Sequence, residues 1–220
     1  MLIAGVDEAG RGPVIGPLVI AGVMLEEADL PKLVELGVKD SKLLTPQKRE
    51  SLAAQIKEHA LIYHTVWLSP AEIDRVVESK RKLHKLNRLE AQAMAKVITI
   101  LKPDTVYVDA ADRLADRFAE HIQEKLTFSP KILSEHKADL KYPVVSAASI
   151  IAKVERDKAI YQLQQKHGNI GCGYPSDHKT TKFLEDWIRK FGSYPDFVRK
   201  SWKTAKRIKE KTDSRQQTLQ

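Results

Sequence analysis

The sequence predicts an α/β fold, a mixed sheet flanked by helices and followed by a helical carboxyl-terminal third. Three observations carry this. Apolar runs bounded by glycine or charge open the chain, helix and strand patterns then alternate to about residue 133, and helical spacing alone follows. The first run, Leu2-Ile3-Ala4-Gly5-Val6, is short and closed by acids, the pattern of a buried strand. Val14–Leu25 reads as a second strand, bent or entered from a sheet edge, because Pro17 and two glycines interrupt it. Thr45-Pro46 places an N-cap before a first-turn proline and opens a helix to about Glu58. Leu61–Leu68, rich in β-branched and aromatic residues, is a third strand. Ser69 with Glu72 three positions on forms a capping box for a short helix. Leu86, Leu89, Ala93 and Val97 recur at helical spacing up to Leu101, and Pro103 stops that helix. Thr105–Val108 and Lys131–Leu133 are two more short strands, and 112–125, 143–167 and 177–191 are helical in pattern. The expected organisation is a core over 1–167, a helical extension with a basic segment over 168–211, and a polar tail over 212–220.

With 42% hydrophobic residues among 220, the chain has enough apolar surface to bury a core, which excludes wholesale disorder. The lone cysteine, Cys172, excludes an intramolecular disulfide framework and fits a reducing compartment. No apolar run approaches the ~18 residues of a membrane span, and the amino terminus lacks a basic-then-apolar signal. The expectation is a soluble, cytoplasmic, monomeric protein without membrane contact. The net charge is +8, and residues 199–211 (RKSWKTAKRIKEK) hold seven Lys/Arg and one Glu, so six of those eight charges sit in one segment. A solvated helix face and a grip on a polyanion account for that segment equally well.

Acids recur where strands end. The first strand runs into Asp7-Glu8, Val106-Tyr107-Val108 into Asp109, and the strand at 131–133 into Glu135-His136-Lys137-Ala138-Asp139. Adjacent acids after a buried strand are costly unless cations neutralise them. In α/β sheets ligands gather beyond strand ends, so acids on neighbouring ends converge. Asp7, Glu8, Asp109 and Asp139 together make an all-oxygen site suited to Mg²⁺ or Mn²⁺. Two such ions activate a water and stabilise a leaving oxygen in phosphodiester hydrolysis. Taken singly, Asp109 is equally a turn residue, Asp112 an N-cap, and Asp139 a partner of Lys137 or Lys141. From Pro143 the helix has Val144, Ala147, Ala148 and Ile151 on one face and Ser146, Ser149, Lys153 and Arg156 on another. That polar stripe either orients carboxylates and phosphates or faces solvent.

Read in order, DEAGRG (7–12), KDSK (39–42), VDA (108–110), EHKAD (135–139), SAASIIAKVERD (146–157) and GYPSD (173–177) resemble type 2 ribonuclease H, ribonuclease HII, especially its archaeal members. The likeness extends from Ile3 to about Thr204. It implies a ribonuclease H-like, mainly five-stranded mixed sheet and a helical carboxyl-terminal extension. It also implies endonucleolytic cleavage of the RNA strand in RNA–DNA hybrids and at ribonucleotides embedded in duplex DNA. The cleavage leaves 5′-phosphate and 3′-hydroxyl ends and uses two Mg²⁺ or Mn²⁺ ions. By the resemblance, Asp7, Glu8, Asp109 and Asp139 are the metal-binding catalytic acids, and Gly10-Arg11-Gly12 reads the ribose at the RNA–DNA junction. Two glycines let backbone groups approach a 2′-hydroxyl closely, and that hydroxyl separates RNA from DNA. Tyr174 matches the tyrosine that packs on the sugar beside the scissile phosphate, Ser41 and Lys42 a phosphate-contacting segment, and Lys153 a basic helix residue near the site.

Two departures are visible. Leu43 stands where many relatives have a second lysine, and Cys172 where serine is common. His136 is expected to make a structural hydrogen bond rather than to transfer protons. Gln216-Gln217-Thr218-Leu219-Gln220 resembles the start of the glutamine-anchored motif that holds a sliding clamp, without its aromatic pair. A related DNA nuclease or transposase is the alternative enzyme, and a non-catalytic nucleic-acid-binding module the alternative outside enzymes.

Overall fold

The computed structural model describes residues 1–38, 44–80 and 85–218. A five-stranded mixed sheet organises the first of two compact units, which comprises Met1–Ala9, Val19–Trp67 and Lys82–Glu155. β1 (Leu2–Ala9) pairs antiparallel with β2 (Leu18–Glu26), from Leu2↔Glu26 to Ala9↔Val19. On its other side β1 runs parallel to β4 (Thr105–Asp109), and β4 parallel to β5 (Lys131–Glu135). β3 (Ile62–Leu68) completes the order β3-β2-β1-β4-β5. Parallel neighbours need a crossover, and the helix Ala115–Gln123 lies in the connection from β4 to β5.

The helices before β4 are α1 (Leu30–Glu35), α2 (Pro46–His59), α3 (Pro70–Glu78) and α4 (Lys85–Leu101). After it come α5 (Ala115–Gln123), α6 (Ala138–Lys141) and α7 (Pro143–His167). Two glycines set how closely helices approach the sheet. A Cβ on Gly5 would lie 2.3 Å from the carbonyl of Val144, so α7 rests its backbone on β1. A Cβ on Gly22 would lie 2.4 Å from Val97 and 2.8 Å from Leu101, so α4 packs on β2. The larger core joins Ile3, Val23 and Leu25 of the sheet to Leu52 and Ile56 of α2. Val144, Ala147, Ala148 and Ile151 of α7 complete it, as their helical spacing predicts. Alanines here keep the helix near the strands.

The second unit comprises Gly10–Leu18, Leu68–Arg81 and Arg156–Gln220. Its core gathers Val14, Ile15, Ile160, Ile170, Leu184, Ile188, Phe197 and Val198. α8 (His178–Phe191) starts at the Asp177 N-cap and stops at Gly192, whose φ of 70° only glycine adopts readily. α9 (Lys203–Thr218) turns Ala205 and Ile208 inward. α3 carries the expected capping box, and its Asp74 accepts from the amides of Lys200 (2.8 Å) and Ser201 (3.0 Å). The carboxyl-terminal helices thus group with two earlier segments, 10–18 and 68–81, that the sequence division counts as core.

Several boundaries differ from the sequence expectation. β2 begins at Leu18 rather than Val14 and lies inside the sheet, not at an edge. Gly16, at φ 90°, and Pro17 break the run, and Ile15 pairs instead with Val198. β1 and β5 extend through their acids to Ala9 and Glu135. α1 and α6 were not anticipated, and the polar tail continues α9 as far as Thr218. Among the described residues, no helix is long and apolar enough to cross a membrane.

Candidate active site

Asp7, Glu8 and Asp109 come together. One carboxylate oxygen from each lies within 4.8 Å of the others, Asp7 buried and the other two half-buried. The cause is strand register. Val6 pairs with Val108, so Asp7 and Asp109 each follow the last paired residues of two parallel strands. Asp7 Oδ1 accepts the Glu8 amide at 2.7 Å, and its carboxylate also takes a hydrogen bond from the Ser149 hydroxyl on α7. Asp109 Oδ1 accepts the Ala138 amide at 2.8 Å. Burial pushes the Asp7 carboxyl well above the usual carboxylate range, and the charges of Glu8 and Asp109 push it further. Three repelling carboxylates held together fit a divalent cation. Ligands on one Mg²⁺ at ~2.1 Å lie up to about 4.2 Å apart, a separation that fits within the 4.8 Å bounding these three oxygens.

Asp139 reaches the site by another route. It is not at a strand end but in α6, reached through Lys137, whose φ of 56° swings the chain out of β5. The side chain is buried, and the backbone carbonyl accepts from the Ser146 hydroxyl. α6 therefore brings Asp139 one residue from the amide that holds Asp109. Lys141 pairs with Glu135, which also accepts from Tyr142 at 2.7 Å. Asp112 is no simple N-cap. Its wholly buried carboxylate meets Arg117, Asn87 (2.7 Å) and the Leu114 amide (3.0 Å), linking α4 to α5.

In the second unit, Gly10-Arg11-Gly12 forms a loop fixed from several sides. Gly10 has φ 97°, and a Cβ there would lie 2.7 Å from the Pro17 carbonyl. Gly12 is exposed and faces Tyr174, whose ring a Cβ would approach at 3.5 Å, ordinary contact. Glycine at that position thus leaves open space beside the tyrosine. The Val14 and Ile15 amides both donate to the Gly173 carbonyl, at 2.8 and 3.2 Å, which ties loop and tyrosine together. Arg156 lies 4.9 Å from the Tyr174 ring centre and donates to the Cys172 carbonyl at 2.7 Å.

Arg199 is the residue that the sequence reading placed wrongly. It opens the basic segment 199–211, yet it is fully buried. Its guanidinium donates to the carbonyls of Gly10 (2.6 Å), Arg11 (2.9 Å) and Gly16 (3.1 Å) and lies 4.9 Å from the Trp202 ring centre. Trp202 Nε1 donates to Gly12 at 3.1 Å, so the carbonyls of all three loop residues are held. Burial, with Arg156 nearby, lowers the Arg199 pKa below its ordinary value. The available signal was local: Phe197-Val198 precedes it and Trp202 follows three positions on.

The α7 stripe orients carboxylates rather than facing solvent, since Ser149 reaches Asp7 and Ser146 reaches the backbone of Asp139. Lys153, half-buried, lies one turn beyond Ser149. His136 Nε2 hydrogen-bonds the Arg113 carbonyl at 3.3 Å, a structural contact. Cys172 is a free, exposed thiol. Ser41 and Lys42 lie outside the described residues, as do Leu219 and Gln220.

A mixed sheet in the order β3-β2-β1-β4-β5, with acids clustered where parallel β1 and β4 end, is a ribonuclease H-like architecture of the metal-dependent nuclease type. The Ribonuclease HII family profile matches residues 4–205. Ribonuclease HII of Thermococcus sibiricus is 53% identical over 213 residues, covering 96% of this chain and 92% of the relative. The ribonuclease H2 structure from Pyrococcus horikoshii superposes with a TM-score of 0.90 at 45% identity, over 97% of this chain and 99% of that one. A PCNA:RNase HII complex from Archaeoglobus fulgidus gives 0.84 at 42% identity, over 94% and 96%. The chain belongs to the ribonuclease HII family.

Proposed function

We propose that this endoribonuclease, which hydrolyses the RNA strand of RNA–DNA hybrids, also cuts at single ribonucleotides embedded in duplex DNA. The observation that carries the reading is the convergence of Asp7, Glu8 and Asp109, whose mutual repulsion calls for cations. Asp7, Glu8, Asp109 and Asp139 would hold two divalent ions, Mg²⁺ or Mn²⁺. Bound there, such ions supply a hydroxide nucleophile and charge for the departing 3′-oxygen. Ser149 and the Ala138 amide fix the rotamers of Asp7 and Asp109, so the ligands are positioned before substrate arrives. Main-chain groups of Gly10-Arg11-Gly12 meet the ribose 2′-hydroxyl, and Tyr174 packs on the adjoining sugar. Lys153 and the Ser41-Lys42 segment contact phosphates. The products carry 5′-phosphate and 3′-hydroxyl ends.

The test is cleavage of duplex DNA bearing one ribonucleotide, with Mg²⁺, beside an all-DNA control and Asp7→Asn. Cleavage at the ribonucleotide alone, abolished in the variant, is expected. Equal cleavage of the all-DNA duplex would instead support the DNA nuclease alternative. A sliding clamp is a further partner, given that a relative is solved with PCNA. Pull-down of the clamp with and without residues 216–220 measures what the glutamine-rich tail contributes. The chain acts as a cytoplasmic monomer, a state that sedimentation checks.

A further inference from the structure

Outside the residues discussed so far, α8 presents one continuous stripe to a cleft of about 650 Å³. Lys179, Lys182 and Lys190 recur along it, and Lys166 from the end of α7 adds a fourth cation. The acid that lines the cleft, Asp186, pairs with Arg189 at 3.5 Å. Between the lysines, Phe183, Trp187 and Phe191 follow at four-residue intervals, with ring centres 5.4 and 4.7 Å apart. His167, also lining the cleft, packs edge-on against Trp187 with ring centres 5.7 Å apart. Phe191 is half exposed at 53%, an unusual position for such a ring among charges, and Lys190 lies 5.0 Å from its centre.

We propose that this stripe is an accessory site for single-stranded DNA. Cations interleaved with rings provide phosphate contacts and base-stacking platforms together. Spacing selects an unpaired strand. The ring centres lie 5.4 and 4.7 Å apart, wider than the ~3.4 Å per nucleotide of a strand within a duplex. Successive bases must therefore leave one another to reach successive rings. The choice of DNA over RNA rests on the nuclease function, because gaps and displaced strands beside an RNA–DNA hybrid expose DNA.

The experiment measures anisotropy of a labelled oligo-dT, with an oligo-U and a blunt DNA duplex of equal length as comparisons. Phe191→Ala is expected to weaken oligo-dT binding about five- to hundredfold, the range for one stacked base. Lys182→Ala with Lys190→Ala should lower the slope of log affinity against log salt by about 1.4, at ~0.7 per single-strand phosphate. Both variants should cleave a blunt hybrid like the unaltered chain. Unchanged oligo-dT affinity in both variants overturns the proposal. So does an equal loss on the blunt duplex, or tighter binding of oligo-U than of oligo-dT. If the unaltered chain fails to cut the blunt hybrid, the nuclease function fails, while the oligo-dT measurements still decide the site.

Discussion

Replacing Arg199 by lysine keeps the charge and much of the stem but removes the planar fork. In the unaltered chain that fork meets the carbonyls of Gly10, Arg11 and Gly16 at 2.6, 2.9 and 3.1 Å, with no solvent exposure. A single ammonium cannot occupy all three directions, so two carbonyls lose their donor inside the protein. Hydrogen bonds to charged groups contribute about 1.5–3 kcal/mol each, which sets the loss at roughly 3–6 kcal/mol. For a chain of this size each kcal/mol moves the melting midpoint by ~2–4 °C, so calorimetry should record a fall of about 6–24 °C. At a temperature where circular dichroism shows the variant folded, kcat/KM on a single-ribonucleotide duplex should drop at least about tenfold, equivalent to ~1.4 kcal/mol of lost transition-state binding. Trp202→Phe, which keeps a ring but removes the hydrogen bond to Gly12, should cost only about 1 kcal/mol. A midpoint within about 2 °C of the unaltered chain, together with unchanged kcat/KM, would refute the claim that Arg199 holds this loop.

Asp7 is raised in the folded state, so the metal-free fold binds its proton more tightly than the unfolded chain does. Stability should therefore decline as pH rises from the ordinary carboxylate value through the raised one. Saturating Mg²⁺ or Asp7→Asn should each remove that decline in melting curves. For Asp112 the sign is opposite. Burial acts upward, but Arg117, the Leu114 amide and Asn87 outweigh it and hold the carboxyl far below its usual range. Its contribution is present above ~3.9, the unfolded value, and lost toward stronger acid. Urea titration should show Asp112→Ala about 2–3 kcal/mol less stable at neutral pH, with the gap closing on acidification. Gly5→Ala drives a Cβ to 2.3 Å from the Val144 backbone, and denaturation should report about 3 kcal/mol lost, at the upper end for overpacking. Lys203, Lys206 and Arg207 are exposed on α9. Changing all three to Ala should reduce the salt slope of duplex binding by up to about 2.7, at ~0.9 per phosphate.

Much of this was legible in local pattern. An apolar run ending in Asp7-Glu8 predicts a strand delivering acids, and β1 does that. The Ser69–Glu72 capping box and the span of α7 are where spacing places them. The rest depended on contacts remote in sequence. A left-handed Lys137, without glycine to announce it, moves Asp139 off the strand end and into α6. Gly16 and Pro17 look like interruptions of a strand, whereas they separate it from a bridge to Val198. Arg199 shows the limit most plainly. Phe197, Val198 and Trp202 mark its surroundings as apolar, but the three carbonyls that select it among seven basic residues lie near the other end of the chain.

That distance has a consequence for biosynthesis. Asp7, Glu8 and the loop beside them are made early, yet the guanidinium that holds Gly10 follows 189 residues later. A nascent chain or a prematurely terminated fragment that stops short of Arg199 carries the acids while the carbonyls of Gly10, Arg11 and Gly16 lack their donor. On the proposed role of that loop, selectivity for ribose waits on Arg199, and fragments that stop before it lack that selectivity.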